Sequence, residues 1–359
     1  MRFAAQGGQM LPQTPASCPE EDATMNTAIQ HQNQDQLQVS LRNPPPDAAQ
    51  EDAGLTDLTA DVAFLRTSIV NVVLVGAPDA GDRGWVLVDA GMPLSASAIT
   101  EAAEARFGPD ARPVAIVLTH GHFDHIGSLH TLADQWDVPI YAHRLEQPYI
   151  TGRSAYPPPD TTVGGGLFSA LSWMFPPGPI DVGIRARVLP ADGTVPGLPG
   201  WRWVHTPGHT PGHVSLFRDE DRTLIAGDAF VTTKQESVLA VIEQRKEIHG
   251  PPMYYTSDFA AARQSVQDLA DLEPARAITG HGLPMQGGEL RDALATLVRD
   301  FDRIAVPAGG RYAQTPARAD ASGVTSIPPD VPHPVRNLLL GLGVGLLVGG
   351  AVGRLRSRD

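Results

Sequence analysis

The seven residues Thr119 to His125 read Thr-His-Gly-His-Phe-Asp-His and directly follow the apolar run Val114 to Leu118. That run has the length and β-branched content of a buried strand. Four side chains able to bind a metal, His120, His122, Asp124 and His125, therefore leave its carboxyl end on one loop, which is where active sites form in α/β layers. In extended chain the i, i+2 spacing points His120 and His122 to one side. Asp124 and His125 come as the chain turns into a helix expected to start near Gly127. One short loop can thus hold two metal positions.

The rest of the chain is organised around this loop. Val62 to Leu65, Ile69 to Val75 and Trp85 to Val88 read as strands of a meander that ends in Asp89-Ala90-Gly91. Ser95 to Phe107 has helical spacing, with Ile99, Ala102, Ala103 and Phe107 on one side, and Gly108-Pro109 stops it. A helix over Ser128 to Trp136 and a strand over Val138 to Ala142 follow. The pattern then recurs: strands over Trp201 to His205, Val214 to Phe217 and Thr223 to Ala226, a helix over Asp258 to Leu272, a strand over Arg276 to Thr279, and a helix from Leu290 to Ile304. Two successive β-then-α halves suggest an α/β fold, a four-layer αβ/βα sandwich with the ligand loops meeting between two sheets.

The expected domain organisation is a disordered N-terminal segment over 1–53, a catalytic domain over 54–305, a Pro/Ala-rich linker over 306–336 and a Gly-rich apolar tail over 337–359. The first segment is rich in Gln, Asn, Pro and Asp without apolar periodicity. It has no continuous apolar stretch of the kind that secretory signals need, and Met25 offers an alternative start. A formal charge of −13 without a concentrated basic face disfavours nucleic acid as a substrate. The single cysteine, Cys18, excludes a disulfide framework and a Cys-based metal cage, and a reducing cytoplasm is the simplest compartment.

Further ligand types recur at strand ends. His209 lies in Thr206-Pro207-Gly208-His209-Thr210-Pro211-Gly212-His213, Asp228 follows Gly227, and His281 sits between Gly280 and Gly282. A His-x-His, Gly-Asp or Gly-His alone is more often a surface pair or a turn; all of them in order, each after an expected strand, point to a metal site. A carboxylate with two oxygens can bridge two metals roughly 3.5–4 Å apart, and Asp228 is the candidate bridge. The N/O donor set favours two divalent ions, zinc first, with iron or manganese as alternatives. His213 is expected to orient a ligand rather than be one.

The motif Thr-His-x-His-x-Asp-His, the later Thr-Pro-Gly-His-Thr-x-Gly-His, then Gly-Asp and Gly-His, resembles the metallo-β-lactamase superfamily over about Leu55 to Phe301. The resemblance implies that fold, with His120, His122 and His209 on one metal, Asp124, His125 and His281 on the other, and Asp228 between them. It also implies that Asp89 supports the ligands from behind. His125 after the Asp, and the lack of a Cys ligand, resemble the glyoxalase II and lactone hydrolase branch rather than the namesake lactamases.

This constellation implies hydrolysis of a small-molecule ester, lactone or thioester without an organic cofactor. A hydroxide bridging the metals would attack the carbonyl carbon, and Asp124 would accept or return a proton as the catalytic acid–base group. The alternatives are an iron-dependent persulfide dioxygenase-like enzyme and a non-catalytic metal-binding protein at a membrane. Tyr254 and Tyr255 are candidates for substrate contact, with core packing as the other role. The apolar patch Leu167, Phe168, Leu171, Trp173, Met174 and Phe175 is a candidate lid or acyl pocket. Leu338 to Gly353 is uncharged, carries glycine at every fourth position and is followed by Arg354, Arg356 and Arg358, which suggests association with a membrane.

Overall fold

The computed structural model describes residues 54–331. The N-terminal segment 1–53 and the apolar tail 337–359 lie outside the described residues. Among the described residues no helix is long and apolar enough to cross a membrane.

Seven strands form the first sheet, in the order of the chain: β1 (Leu55–Thr59), β2 (Val62–Thr67), β3 (Val70–Val75), β4 (Val86–Val88), β5 (Ala115–Val117), β6 (Ile140–Ala142) and β7 (Ala186–Val188). β1 to β4 are an antiparallel meander, and β4 to β7 run parallel. The second sheet holds β8 (Thr194–Val195), β9 (Leu198–His205), β10 (Val214–Arg218), β11 (Thr223–Gly227), β12 (Arg276–Thr279) and β13 (Met285–Gln286), in the order β13-β12-β11-β10-β9-β8. Only β11 and β12 pair in parallel there.

Strand alternation sorts the apolar residues into three layers of core, because successive side chains point to opposite faces. Val73, Val75, Val88 and Val117 of the first sheet meet Leu216, Ile225 and Ile278 of the second. On the outer face of the first sheet, Val72, Leu74 and Ile116 pack with Ile99, Ala102, Ala103 and Phe107 of the helix Ala96–Phe107 and with Leu129, Leu132 and Trp136 of the helix Leu129–Trp136. Phe217, Leu224 and Ala277 do the same on the far side with Ala262, Val266 and Leu269 of the helix Phe259–Asp271 and Leu290, Leu294 and Leu297 of the helix Gly287–Arg299. The layering is the αβ/βα sandwich that the two repeated halves suggest.

Three local expectations differ. Asp124 and His125 do not precede the helix but lie inside a one-turn helix, Phe123–Ile126, with His122 as its extended N-cap residue. The helix expected over Leu290 to Ile304 is split at Asp300, whose φ of −112° and ψ of 22° leave the helical region, into Gly287–Arg299 and Phe301–Ala305. The segment expected as a linker carries an antiparallel ribbon, β14 (Arg318–Asp320) with β15 (Gly323–Ser326). It is tied to the domain by Ala317 N donating to Ser257 O at 3.0 Å and Val324 N donating to Ser154 Oγ at 3.1 Å.

Candidate metal centre

Parallel strands β4, β5, β11 and β12 end at one rim, and each end delivers a polar side chain into it. Asp89 follows β4; His120, His122, Asp124 and His125 follow β5; Asp228 follows β11; His281 follows β12. His209 comes from the loop joining β9 to β10. All seven residues singled out in the sequence are buried. Three groups bring their ligand atoms within 4.8 Å of one another: His120 with His122 and His209, His120 with His125 and Asp228, and Asp124 with His125 and His281. Asp228 lies between the outer groups. Its Oδ2 is 3.5 Å from His209 Nε2 and 3.2 Å from His281 Nε2, and its Oδ1 is 3.5 Å from His125 Nε2.

Hydrogen bonds behind the rim decide which atom of each ring faces it. Asp89 Oδ2 binds His125 Nδ1 at 2.8 Å, which leaves His125 Nε2 for the centre. The same carboxylate accepts from Thr119 N and Thr119 Oγ1, both at 2.7 Å, so it also holds the start of the ligand loop. His281 Nδ1 bonds the carbonyl of Ile69 at 2.7 Å, which again frees Nε2. His213 has both nitrogens committed: Nε2 accepts from Asp228 N at 2.9 Å and Nδ1 lies 2.8 Å from Thr206 Oγ1. It orients Asp228 and has no ring nitrogen left for a ligand position. His205 bonds Pro211 O and stacks on His143, away from the rim.

Burial dominates the electrostatics. It holds His120 and His122 well below the ordinary imidazole range, with neighbouring imidazoles adding to it, and brings His209 down to about 3. Burial also opposes charge on His125 and His281, but carboxylates together outweigh it, Asp228 with Asp89 at His125 and Asp228 with Asp124 at His281, and both are raised. Asp228 itself stays well below the usual carboxylate range despite burial, because His281 and His125 face it. Asp124 is pushed up by burial.

The donor set fits divalent cations. Neutral imidazoles offer lone pairs, and His122 Nδ1 and His209 Nε2 stand 2.9 Å apart. His120 Nε2, His125 Nε2 and Asp228 Oδ1 are buried without a hydrogen-bond partner among protein atoms, the condition that bound cations would relieve. Gly280 leaves the space open, since a Cβ there would run into Asp228 Oδ1 and lie 2.7 Å from His125 Cε1.

Sequence reasoning missed two residues that position the rim. Asn71 Nδ2 donates to Thr279 O at 2.9 Å and Gly282 O at 2.8 Å, and so fastens the His281 loop to β3 of the other sheet. Its signal was legible: an asparagine inside the otherwise apolar run Val-Asn-Val-Val-Leu-Val. Glu146 is fully buried between the two histidine loops and carried no comparable signal. Tyr255 stacks on His122 at 4.2 Å, and Phe175 stacks on Phe123 of the ligand loop at 5.3 Å. Tyr254 and Tyr255 form a small core with Val163, Phe123, Phe168, Phe175 and Met253, so packing and proximity to the rim coexist in them. Beyond it, Leu167, Trp173 and Met174 of the apolar patch are more than half exposed.

A family model described as the metallo-beta-lactamase superfamily matches residues 65–281. The chain is similar to the probable metallo-hydrolase YflN of Bacillus subtilis (strain 168), with 47% identity over 240 residues, 67% of this chain and 90% of that protein. It is also similar to the probable metallo-hydrolase YybB of the same bacterium, with 31% identity over 203 residues, 56% of this chain and 77% of the other. Among solved structures, a beta-lactamase domain protein from Burkholderia ambifaria matches 72% of this chain and 80% of its own, with 22% identity and a TM-score of 0.50, a likeness of fold alone.

Proposed function

The chain belongs to the metallo-β-lactamase superfamily and is a metallohydrolase of that fold, and from this premise we propose that it uses two divalent cations to hydrolyse an ester, lactone or thioester carbonyl. The observation that carries the reading is the place of Asp228, whose two oxygens lie between His209 on one side and His125 and His281 on the other. His120, His122 and His209 would hold one ion and Asp124, His125 and His281 the other, with Asp228 shared. Bound there, such ions supply a Lewis acid and a water activated for attack at neutral pH.

The remaining chemistry belongs to the protein. The Asp228 carboxylate faces His125 and His281, and its backbone N–H donates to His213, which fixes the chain from which the carboxylate projects. Asp124 is the most open of the rim's carboxylates, with a side chain 9% exposed against 2% for Asp228 and 4% for Asp89. Its Oδ2, 3.4 Å from His281 Nε2, lies where a carboxylate oxygen could accept a proton and return it to a leaving group. The aromatic wall of Tyr254, Tyr255, Phe123 and Phe175 screens one side from water. A small organic substrate, not a nucleic acid, suits the net charge of −13.

Assays of the purified full chain, loaded in turn with zinc, manganese and iron(II), on esters, lactones and thioesters test the proposal. Turnover of at least one class is expected. Turnover of none, or oxygen uptake with a persulfide in its place, would overturn it.

A further inference from the structure

Glu146 is an acid outside the seven-residue centre, wholly buried, with four donors around its carboxylate. Oε1 accepts from Thr210 Oγ1 and from Gly212 N, both at 2.8 Å; Oε2 accepts from Gly121 N at 3.2 Å and from the Tyr156 hydroxyl. Gly121 lies between His120 and His122, and Thr210 follows His209. One side chain, placed after β6, therefore joins the two loops that carry the whole of one histidine group. Tyr156 extends the joint: its hydroxyl also accepts from Gly121 N at 2.9 Å, and its ring lies against His122 at 4.6 Å and Tyr149 at 3.8 Å. The fit leaves no slack, since a Cβ at Gly212 would come within 2.8 Å of Glu146. The other group is held without it, by Asp89 behind His125 and the Ile69 carbonyl behind His281.

We propose that Glu146 is a positioning residue for one half of the centre: it sets the separation of the His120–His122 and His209 loops, and so tunes binding of the first cation while leaving the Asp124–His125–His281 half unchanged. The proposal rests on the two-cation reading above. A carboxylate offers only acceptors to these four donors. A Gln amide would turn an NH2 toward two of them, and an Asp would not reach both loops.

The test is zinc titration of the full chain by calorimetry. In Glu146→Gln one binding step weakens by about 10- to 100-fold and the other does not move. Adding Glu146→Gln to His209→Ala brings little further change, whereas in a His281→Ala background the Glu146→Gln effect keeps its full size. Tyr156→Phe, which keeps the ring and removes the hydroxyl's two bonds, to Glu146 Oε2 and from Gly121 N, weakens the same step by less and carries the test if Glu146→Gln does not fold. Equal weakening of both steps, or of neither, overturns the proposal. If the wild-type chain itself takes up fewer than two ions, the two-cation reading fails, and Glu146 is judged on histidine 15N spectra of chelator-treated protein. There the variant shifts the His122 and His209 signals and leaves His125 and His281 in place; shifts in all four or in none overturn the proposal.

Discussion

The rim that carries the seven site residues and the wall that faces it are held by different forces. At the rim nearly every supporting contact is a directed hydrogen bond between buried groups: Asp89 to His125, Ile69 to His281, His213 to Asp228, Asn71 to the His281 loop. The wall is aromatic and aliphatic, and its outer residues Leu167, Trp173 and Met174 are more than half exposed. Residues 154–180, which supply much of it, include no lysine, arginine or histidine. Hydrogen bonds fix direction, and apolar contacts tolerate repacking. The candidate ligands thus sit on a scaffold of directed bonds, whereas the apolar wall can be repacked without disturbing them, and we propose that the wall sets the choice of substrate.

That division can be broken or sharpened by substitution. The largest effect is expected at the point where both halves of the rim meet. Asp228→Ala removes the shared carboxylate, and loss of about 4 kcal/mol of transition-state stabilisation corresponds to roughly a 1000-fold fall in kcat/KM. Steady-state assays on whichever substrate the screen identifies read it; a fall below tenfold would remove Asp228 from the centre. Asn71→Leu leaves the Thr279 and Gly282 carbonyls buried without their donor, and is expected to destabilise the fold by about 2–4 kcal/mol in urea unfolding. A loss confined to a few tenths would show that the two sheets are not fastened there.

Asp89→Asn is expected to weaken cation binding by about 10- to 100-fold, because the amide no longer fixes the orientation and tautomer of His125. Competition with a chromophoric chelator measures it, and unchanged affinity would place Asp89 outside the support of the rim. The smallest change in stability belongs to the wall. Trp173→Ala with Met174→Ala is expected to alter unfolding free energy by no more than about 0.5 kcal/mol, since both side chains are largely exposed. KM should rise for bulky apolar substrates while kcat for the smallest one stays put. Equal KM values across the series would show that the wall does not touch substrate.

How much of this was legible in the sequence follows the same division. The seven rim residues could be read because each is a His or Asp in a loop that follows an expected strand, in an order that resembles a known family, and the layered fold followed from two repeats of strands then helices. Their supports are harder to read. Asn71 stands out only against its apolar neighbours, and Glu146 acquires its role from Thr210 and Gly212, more than 60 positions away. The three-residue strands β4, β5, β6 and β7 carry too few residues for periodicity to set their order. The one-turn helix at Phe123–Ile126 is fixed by the packing of the ligand loop, not by propensity. In the Pro/Ala-rich stretch after Val306, composition hides the ribbon of β14 and β15, which gains its place from contacts to Ser154 and Ser257.

One shared carboxylate, Asp228, would let this rim hold a pair of ions. Elemental analysis of the full chain after dialysis against zinc tests it most directly. Two zinc ions per chain are expected for the wild type; one ion or none would contradict a paired centre.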